Sequence, residues 1–375
     1  MKKVKVLFFI YQLGAGGAAR TLLNVLNHID QDKFEPVLVT LNYDGSYEQY
    51  LHDDITLIKL PTKRLRSAII PFAKLIRKEK ADIVFSTIPN YSIIAVLARL
   101  LSFSKAKSIV REAAYLDDRT TSRMLLRFYG FVYRFAKKVI ALSAGVKDNL
   151  INRYNVPAHK INVIYNPVDI DNIKQMANQK DMPAEHNNLF EKNIKTIVTA
   201  GRLVPEKDHK TLLTAFSQVT QQMESQLIIL GEGELEAALK AQARDLNIAD
   251  HVHFIGFQDN PYAYFKRADL FALSSLTEGF GHVLVEALAV GTPVVSTNCK
   301  PGAPEVLEDG KYGFLCNVGD PDDMAEKMSR ALTQTATEKS ETVEQGYARA
   351  NTFAATNIVK QYESTFSDTL NDKRR

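Results

Sequence analysis

Glu278 and Glu286 stand eight positions apart in the run Glu278-Gly-Phe-Gly-His-Val-Leu-Val-Glu286. Gly279 and Gly281 leave the backbone between them open to close approach by a ligand. The apolar run that follows predicts a helix starting near His282. Its first amides would point back at the glycines and suit an anion such as phosphate. Two carboxylates beside an anion site disfavour phosphate alone. They make sense if they accept hydrogen bonds from hydroxyls, on a sugar or a ribose. Glu286 falls about one turn into the helix and could still face such a ligand.

A second group is Gly201-Arg202-Leu-Val-Pro-Glu-Lys207-Asp208, directly after an apolar strand. Two cations in that loop could clamp a diphosphate, Arg202 by its planar fork and Lys207 as a point charge. A third is Gly14-Ala15-Gly16-Gly17-Ala18-Ala19-Arg20, which follows a strand and opens a helix. It lacks the acid and spacing of a dinucleotide fingerprint, so a nicotinamide site is disfavoured.

The elements that must hold these loops alternate. Val4–Ile10, Pro36–Asn42, Ile83–Ser86, Ser108–Val110, Val139–Leu142 and Ile161–Tyr165 read as strands, with helical patterns between most of them. Polar residues 176–193 read as a linker, after which the pattern restarts with strands at Thr196–Ala200, Gln226–Leu230, Val252–Gly256, Leu270–Leu273 and Pro293–Ser296. The expected fold is therefore α/β, two doubly wound Rossmann-like domains with parallel sheets. The first spans 1–175 and the second 194–345; a C-terminal helical segment at 346–375 packs back across them. The ligand cleft is expected between the carboxyl ends of both sheets.

Composition narrows the class. The chain has 375 residues, 45% hydrophobic and 24% charged, which excludes disordered and fibrous proteins. The net charge of +4 hides an asymmetry: residues 1–180 carry 28 Lys and Arg against 15 Asp and Glu. Cys299 and Cys316 are too few for a disulfide scaffold, which fits a reducing cytoplasm. No run approaches the ~20 apolar residues of a membrane span.

From Gly201 to Gly319 the chain resembles the donor half of retaining glycosyltransferases of family 4, which have the GT-B fold. The matching pieces are GRLVPEKD, LGEGEL, VHFIGF, EGFGHVLVEALAVGTPVV and GKYGFL. LGAGGAAR, ALSAGVKDNL and IYNPVD carry the resemblance through the first half. It implies transfer of a sugar from a nucleotide-sugar, UDP-sugar foremost, with retained anomeric configuration and no metal or other cofactor. Arg202 and Lys207 would then bind the donor diphosphate. Glu278 would hold donor-sugar hydroxyls, and together these three form the catalytic set. The amides of Gly279, Phe280, Gly281, His282, Val283 and Leu284 would receive sugar oxygens and phosphate, and His282 could touch the sugar. Glu286 would hold the ribose, Phe257 would lie along the base, and Gly231 and Gly233 would shape the nucleotide pocket. The loop at Gly16 and Gly17 would lie near the donor phosphate, with Ala19 where the family usually has an acid.

The family often has a histidine after the middle strand of the first domain. Here Ser108-Ile-Val-Arg111-Glu112-Ala113-Ala114 has none; Ala113 takes the place, or Arg111 and Glu112 substitute. No protein base is assigned. A retaining displacement in which the leaving phosphate takes the acceptor proton needs none. A covalent route would need a carboxylate on the opposite sugar face, and none stands out.

Metal ligation is not expected. The pairs Asp53-Asp54, Asp117-Asp118 and Asp322-Asp323 read as solvated turns, and the eight histidines have no zinc spacing. His28, His159 and His209 read as surface residues.

Asn90, Glu112, Tyr115 and Tyr91, in loops or at strand ends of the first domain, are candidate acceptor contacts. Basic residues gather between Lys63 and Arg153, including Arg119. Arg123 to Lys138 mixes them with aromatics, as at an anionic membrane surface. No nucleic-acid module accompanies them. The expectation is an enzyme of bacterial surface-polysaccharide synthesis, cytoplasmic and peripheral on the membrane's inner face, with a glycan or lipid-linked acceptor. The alternatives are a nucleotide-sugar epimerase of the same fold and a non-catalytic nucleotide-sugar-binding partner.

Overall fold

The computed structural model describes residues 2–14, 16–116, 121–179, 182–191 and 194–371. The Asp117-Asp118 pair, Arg119 and parts of the 176–193 segment lie outside them. The chain divides into two compact units, Met1–Val168 with Ala355–Arg375, and Asp169–Ala354.

The first unit is built on seven parallel strands: β1 (Val4–Phe9), β2 (Phe34–Thr40), β3 (Thr56–Lys59), β4 (Ile83–Thr87), β5 (Lys107–Glu112), β6 (Lys138–Ala141) and β7 (Ile161–Val163). Their order is β3-β2-β1-β4-β5-β6-β7. β1 and β4 are buried along most of their length, as strands covered on both faces must be. One face carries the helices Ile69–Lys78 and Pro89–Leu101, and their core includes Phe9, Phe72, Val84 and Ala98. The other carries Gly17–His28 and the C-terminal helix Ala355–Asn371. Phe8, Phe85, Tyr362 and Phe366 interlock there by tilted and edge-on ring contacts.

The second unit has six parallel strands: β8 (Lys195–Ala200), β9 (Ser225–Leu230), β10 (Val252–Phe254), β11 (Leu270–Leu273), β12 (Val294–Thr297) and β13 (Phe314–Cys316). Their order is β10-β9-β8-β11-β12-β13. Each sheet thus reverses its order once, between β1 and β4 and between β8 and β11. At such a switch point neighbouring strands send their following loops apart, leaving a crevice outside the carboxyl ends.

The domain limits differ from the sequence reading. The first unit ends at Val168, because Asp169 caps the helix Ile170–Ala177, accepting from the Asn172 amide at 3.1 Å, and that helix belongs to the second unit. Residues 176–193 are not a linker between the units: their described part carries short helices at Ala184–Asn187 and Asn188–Phe190, inside the second unit. The tail is two helices. Ala336–Thr352 belongs to the second unit and Ala355–Asn371 to the first. Of the two residues between them, Phe353 is buried and meets Phe280 edge-on at 5.2 Å.

Candidate active site

The second unit gathers its chemistry at the β8/β11 switch point. β8 runs into Gly201, Arg202 and a short turn, Pro205–Lys207; β11 runs into the loop Ser274–Gly281. These loops are stitched together. Ser274 Oγ donates to the Lys207 carbonyl at 2.8 Å, and the Leu276 amide donates to the Glu206 carbonyl at 2.9 Å. Thr297, at the end of β12, donates through Oγ1 to the Ser275 carbonyl at 2.6 Å. The Gly302 amide donates to the Glu278 carbonyl at 2.9 Å. Glu278 is therefore anchored through its backbone as well as its side chain.

That side chain meets Lys207. The Lys207 ammonium donates to Glu278 Oε1, and Ser275 Oγ donates to the same oxygen at 2.9 Å. Both partners are partly exposed, so a ligand can reach them. Arg202 is exposed at the start of the same loop. The structure thus brings Lys207 and Glu278 into contact, with Arg202 on the same loop as Lys207.

The glycines act by close approach. At Gly231, with φ 138°, an added Cβ would lie 2.0 Å from the Gly201 carbonyl oxygen. At Gly233 it would lie 2.4 Å from the Leu203 carbonyl oxygen. The loops after β8 and β9 can pack this tightly only without side chains at those positions. Phe257 follows Gly256 on the next loop and is largely exposed.

Gly281, with φ 87°, caps the helix His282–Ala289. Phe280 is buried and its ring meets His282 edge-on at 5.3 Å. Gly279, His282 and Val283 are partly exposed. Two positions differ from expectation. The Leu284 amide is engaged by the Gly281 carbonyl at 3.0 Å, so the helix already uses it. Glu286 is only 2% exposed, in a helix whose residues from Leu284 to Ala289 are all buried.

His209 is a further correction. It is buried, not on the surface, as the first residue of the helix His209–Thr220. Burial first, and the Lys207 charge second, push its imidazole down to about 4. Its Nδ1 has no hydrogen-bond partner among the described residues. Its burial carries no local sequence signal. Asp322 and Asp323 also differ from expectation: they form the first turn of the helix Pro321–Leu332. Among the described residues no three His, Cys, Asp or Glu side chains form a metal-binding group.

In the first unit, Gly16, with φ 141°, precedes the helix Gly17–His28 at the β1 side of the switch point. Asn90 is exposed after β4 and its Oδ1 accepts from the Tyr129 hydroxyl at 3.0 Å. Tyr115 is exposed. Glu112 is not positioned to meet an acceptor, because it is fully buried. Its carboxylate accepts from the Tyr133 hydroxyl at 3.1 Å and from the amides of Ala113 and Ala114 at 3.1 and 3.3 Å. Desolvation raises its pKa to about 7, with the Tyr133 hydrogen bond opposing. Arg111 is buried too, donating to Tyr362 Oη at 3.1 Å, Thr87 Oγ1 at 3.0 Å and Asn166 Oδ1. Both side chains shape the strand end from within. Sequence reasoning missed the stack of Tyr11 on Tyr43 (4.9 Å) and Tyr91 (6.0 Å) after β1, β2 and β4. Their spacing in the sequence gives no sign that they meet.

Comparisons with known proteins give the family. The model described as Glycosyltransferase Family 4 matches residues 15–172, and that of Glycosyl transferases group 1 matches 181–349. The N-acetylgalactosamine-N,N'-diacetylbacillosaminyl-diphospho-undecaprenol 4-alpha-N-acetylgalactosaminyltransferase of Campylobacter jejuni is 30% identical, over 88% of this chain and 90% of its own. The chain belongs to glycosyltransferase family 4. This glycosyltransferase is also similar to the UDP-Gal:alpha-D-GlcNAc-diphosphoundecaprenol alpha-1,3-galactosyltransferase of Escherichia coli, at 26% identity over 84% of each chain. Among solved structures, Anabaena HepE in complex with UDP-glucose matches with a TM-score of 0.80 and 25% identity, over 97% of this chain and 99% of that one. The fold of the transferase is GT-B, with two Rossmann-like domains.

Proposed function

We propose that this glycosyltransferase moves a sugar from a UDP-sugar to a lipid-diphosphate-linked glycan, with retention of configuration and without a metal ion, in the synthesis of bacterial surface polysaccharide. The observation that carries this reading is the meeting of Lys207 and Glu278 at the β8/β11 switch point, with Arg202 on the same loop. A carboxylate in contact with one cation, with a second cation on the same loop, matches a ligand that is part sugar and part diphosphate. As the glycosidic bond breaks, the leaving diphosphate gains negative charge, and preorganised cations stabilise it. Lys207 takes that charge as a point cation and Arg202 as a fork. Glu278 accepts hydrogen bonds from sugar hydroxyls and keeps Lys207 in place before the donor arrives. The leaving phosphate oxygen accepts the acceptor's hydroxyl proton, so no protein base is needed. Gly231 and Gly233 draw the neighbouring loops together around the nucleotide, and Phe257 offers a ring to the base.

The names of two relatives support the acceptor class, since both carry a diphospho-undecaprenol moiety. HepE with UDP-glucose supports the donor. The test is a thermal-shift screen of UDP-, GDP- and ADP-sugars, followed by NMR of the product's anomeric centre. A ligand that binds the native state raises its melting temperature by mass action. UDP-sugars should give the largest shift and the product should keep the donor's configuration, with turnover persisting in EDTA. A larger shift with another nucleotide, an inverted product or loss of turnover in EDTA overturns the corresponding part.

A further inference from the structure

The helix Arg123–Tyr133 in the first unit divides its residues between two surfaces. Leu126, Tyr129, Gly130 and Tyr133 are buried. Gly130 sets how closely the helix seats: an added Cβ would lie 1.7 Å from the Tyr154 carbonyl oxygen. The inner face is therefore fixed, and the outer face is a consequence of the fold. On it stand Met124, Phe128, Phe131 and, just past the helix end, Phe135, exposed by 83%, 51%, 59% and 49%. Their positions recur every three or four residues, which makes one stripe. Phe131 and Phe135 meet edge-on at 5.4 Å, joining two of the rings into a continuous apolar surface. Phe103, 87% exposed, stands in the turn before β5, as Phe135 stands in the turn before β6, and those strands pair.

Charge decides what such a stripe fits. At 3.6 residues per turn, Arg123, Arg127 and Arg134 fall along one flank. No Asp or Glu occurs between Thr121 and Lys138. The local field is positive: after burial, the charges of Lys137 and Arg134 further lower the pKa of Lys160. A second copy of the chain would bring this flank against like charges with no acid on the helix to answer them. An anionic lipid surface supplies both an apolar phase for the rings and phosphates for the arginines.

We propose that this stripe and its arginine flank dock the first unit on an anionic lipid bilayer, with the rings at the boundary of headgroups and acyl chains. The proposal rests on the reading of a lipid-linked acceptor and adds where the lipid surface lies. The buried side of the same helix holds the strand-end residues, through Tyr129 on Asn90 and Tyr133 on Glu112. One helix therefore links this outer face to the carboxyl ends of β4 and β5.

The test is co-sedimentation of the full chain with vesicles of phosphatidylglycerol and phosphatidylcholine, and with phosphatidylcholine alone. The wild type should partition to the anionic vesicles, less so at high salt. Phe128→Ser/Phe131→Ser and Arg123→Gln/Arg127→Gln should each lower partitioning about tenfold or more. Their melting temperatures and their stabilisation by UDP should match the wild type, which shows that the fold is kept. Absent binding by the wild type, or wild-type binding by both variants, overturns the proposal. So does a dimer in sedimentation velocity that the phenylalanine variant dissolves while vesicle binding is unchanged. Transfer to a lipid-diphosphate acceptor in detergent micelles separates the two readings. Transfer without vesicle binding rejects the docking alone, and vesicle binding without transfer rejects the acceptor class alone.

Discussion

Lys207, on the turn after β8, donates a hydrogen bond to Oε1 of Glu278, on the loop after β11. Seventy-one residues separate them, yet β8 and β11 are neighbours in the sheet. The pair exists because the strand order reverses there, sending one loop to each side of a common crevice. On the proposed reading, the carboxylate holds the cation near where phosphate is needed before a donor arrives. A bound diphosphate would compete with Glu278 for Lys207 and release the carboxylate toward sugar hydroxyls.

The first prediction concerns the cations. Lys207→Ala should lower kcat by about 10²–10³-fold, the usual loss when one preorganised charge stabiliser is removed. Because Lys207 and Glu278 share a hydrogen bond, the double variant with Glu278→Ala should lose less than the two single losses combined. Arg202, which is exposed, should show the smaller loss when changed to alanine. Steady-state kinetics at saturating donor checks all three; strict additivity would separate Lys207 from Glu278 in function.

A second prediction follows from the glycines. Gly231→Ala places a methyl group 2.0 Å from the Gly201 carbonyl oxygen, at a φ that L residues rarely adopt. The loop after β8 must then move. Backbone strain of this kind costs on the order of 1–3 kcal/mol. Denaturant midpoints should fall, and stabilisation by UDP should weaken at the same time. Unchanged UDP stabilisation would show that this loop does not shape the nucleotide pocket.

The pH dependence of stability should have two opposed parts. Glu112 has its pKa raised to about 7 from 4.5, first by burial. Between those values the folded chain keeps a proton that the unfolded chain has lost, so this contribution falls as pH rises to about 7. His209 is lowered to about 4 from 6.5, again first by burial. The unfolded chain takes up a proton there that the folded chain refuses, so this contribution is lost as pH falls from 6.5 toward 4. Relative to the wild type, Glu112→Gln should gain stability as pH rises from 5 toward 8. His209→Gln should gain as pH falls from 7 toward 4. Denaturation midpoints across pH check both signs; curves parallel to the wild type would contradict them.

The sequence shows the parts of the fold that local chemistry controls. Apolar runs broken by glycine loops mark most strands of both sheets, and the spacing around Gly279 and Gly281 marks the helix at His282. β3 and β13 are missed because they are short: Thr56–Lys59 is only half-buried, and Phe314–Cys316 is a three-residue edge strand. The break in the tail carries no Pro or Gly, since it is set by Phe353 packing on Phe280. Arg111 and Glu112 read as a substitute for the family's histidine, and Glu112 as an acceptor contact; tertiary partners such as Tyr362 and Tyr133, which no local spacing reveals, hold both side chains buried instead. In the helix Arg123–Tyr133 both faces carry aromatics, so its outer side cannot be told from pattern alone. The Lys207–Glu278 contact is foreseeable as two loops of one site. The hydrogen bond between them depends on strand order, which no local spacing encodes.

The most direct test of the central claim is transfer by Glu278→Gln, measured beside its stabilisation by UDP. Glutamine keeps the size of the side chain and removes the charge that receives Lys207 and the sugar hydroxyls. The expected result is a normal melting-temperature shift with UDP and a transfer rate at least about 100-fold below the wild type. Wild-type transfer by this variant would contradict the assignment of the β8/β11 switch point as the place where the sugar is held.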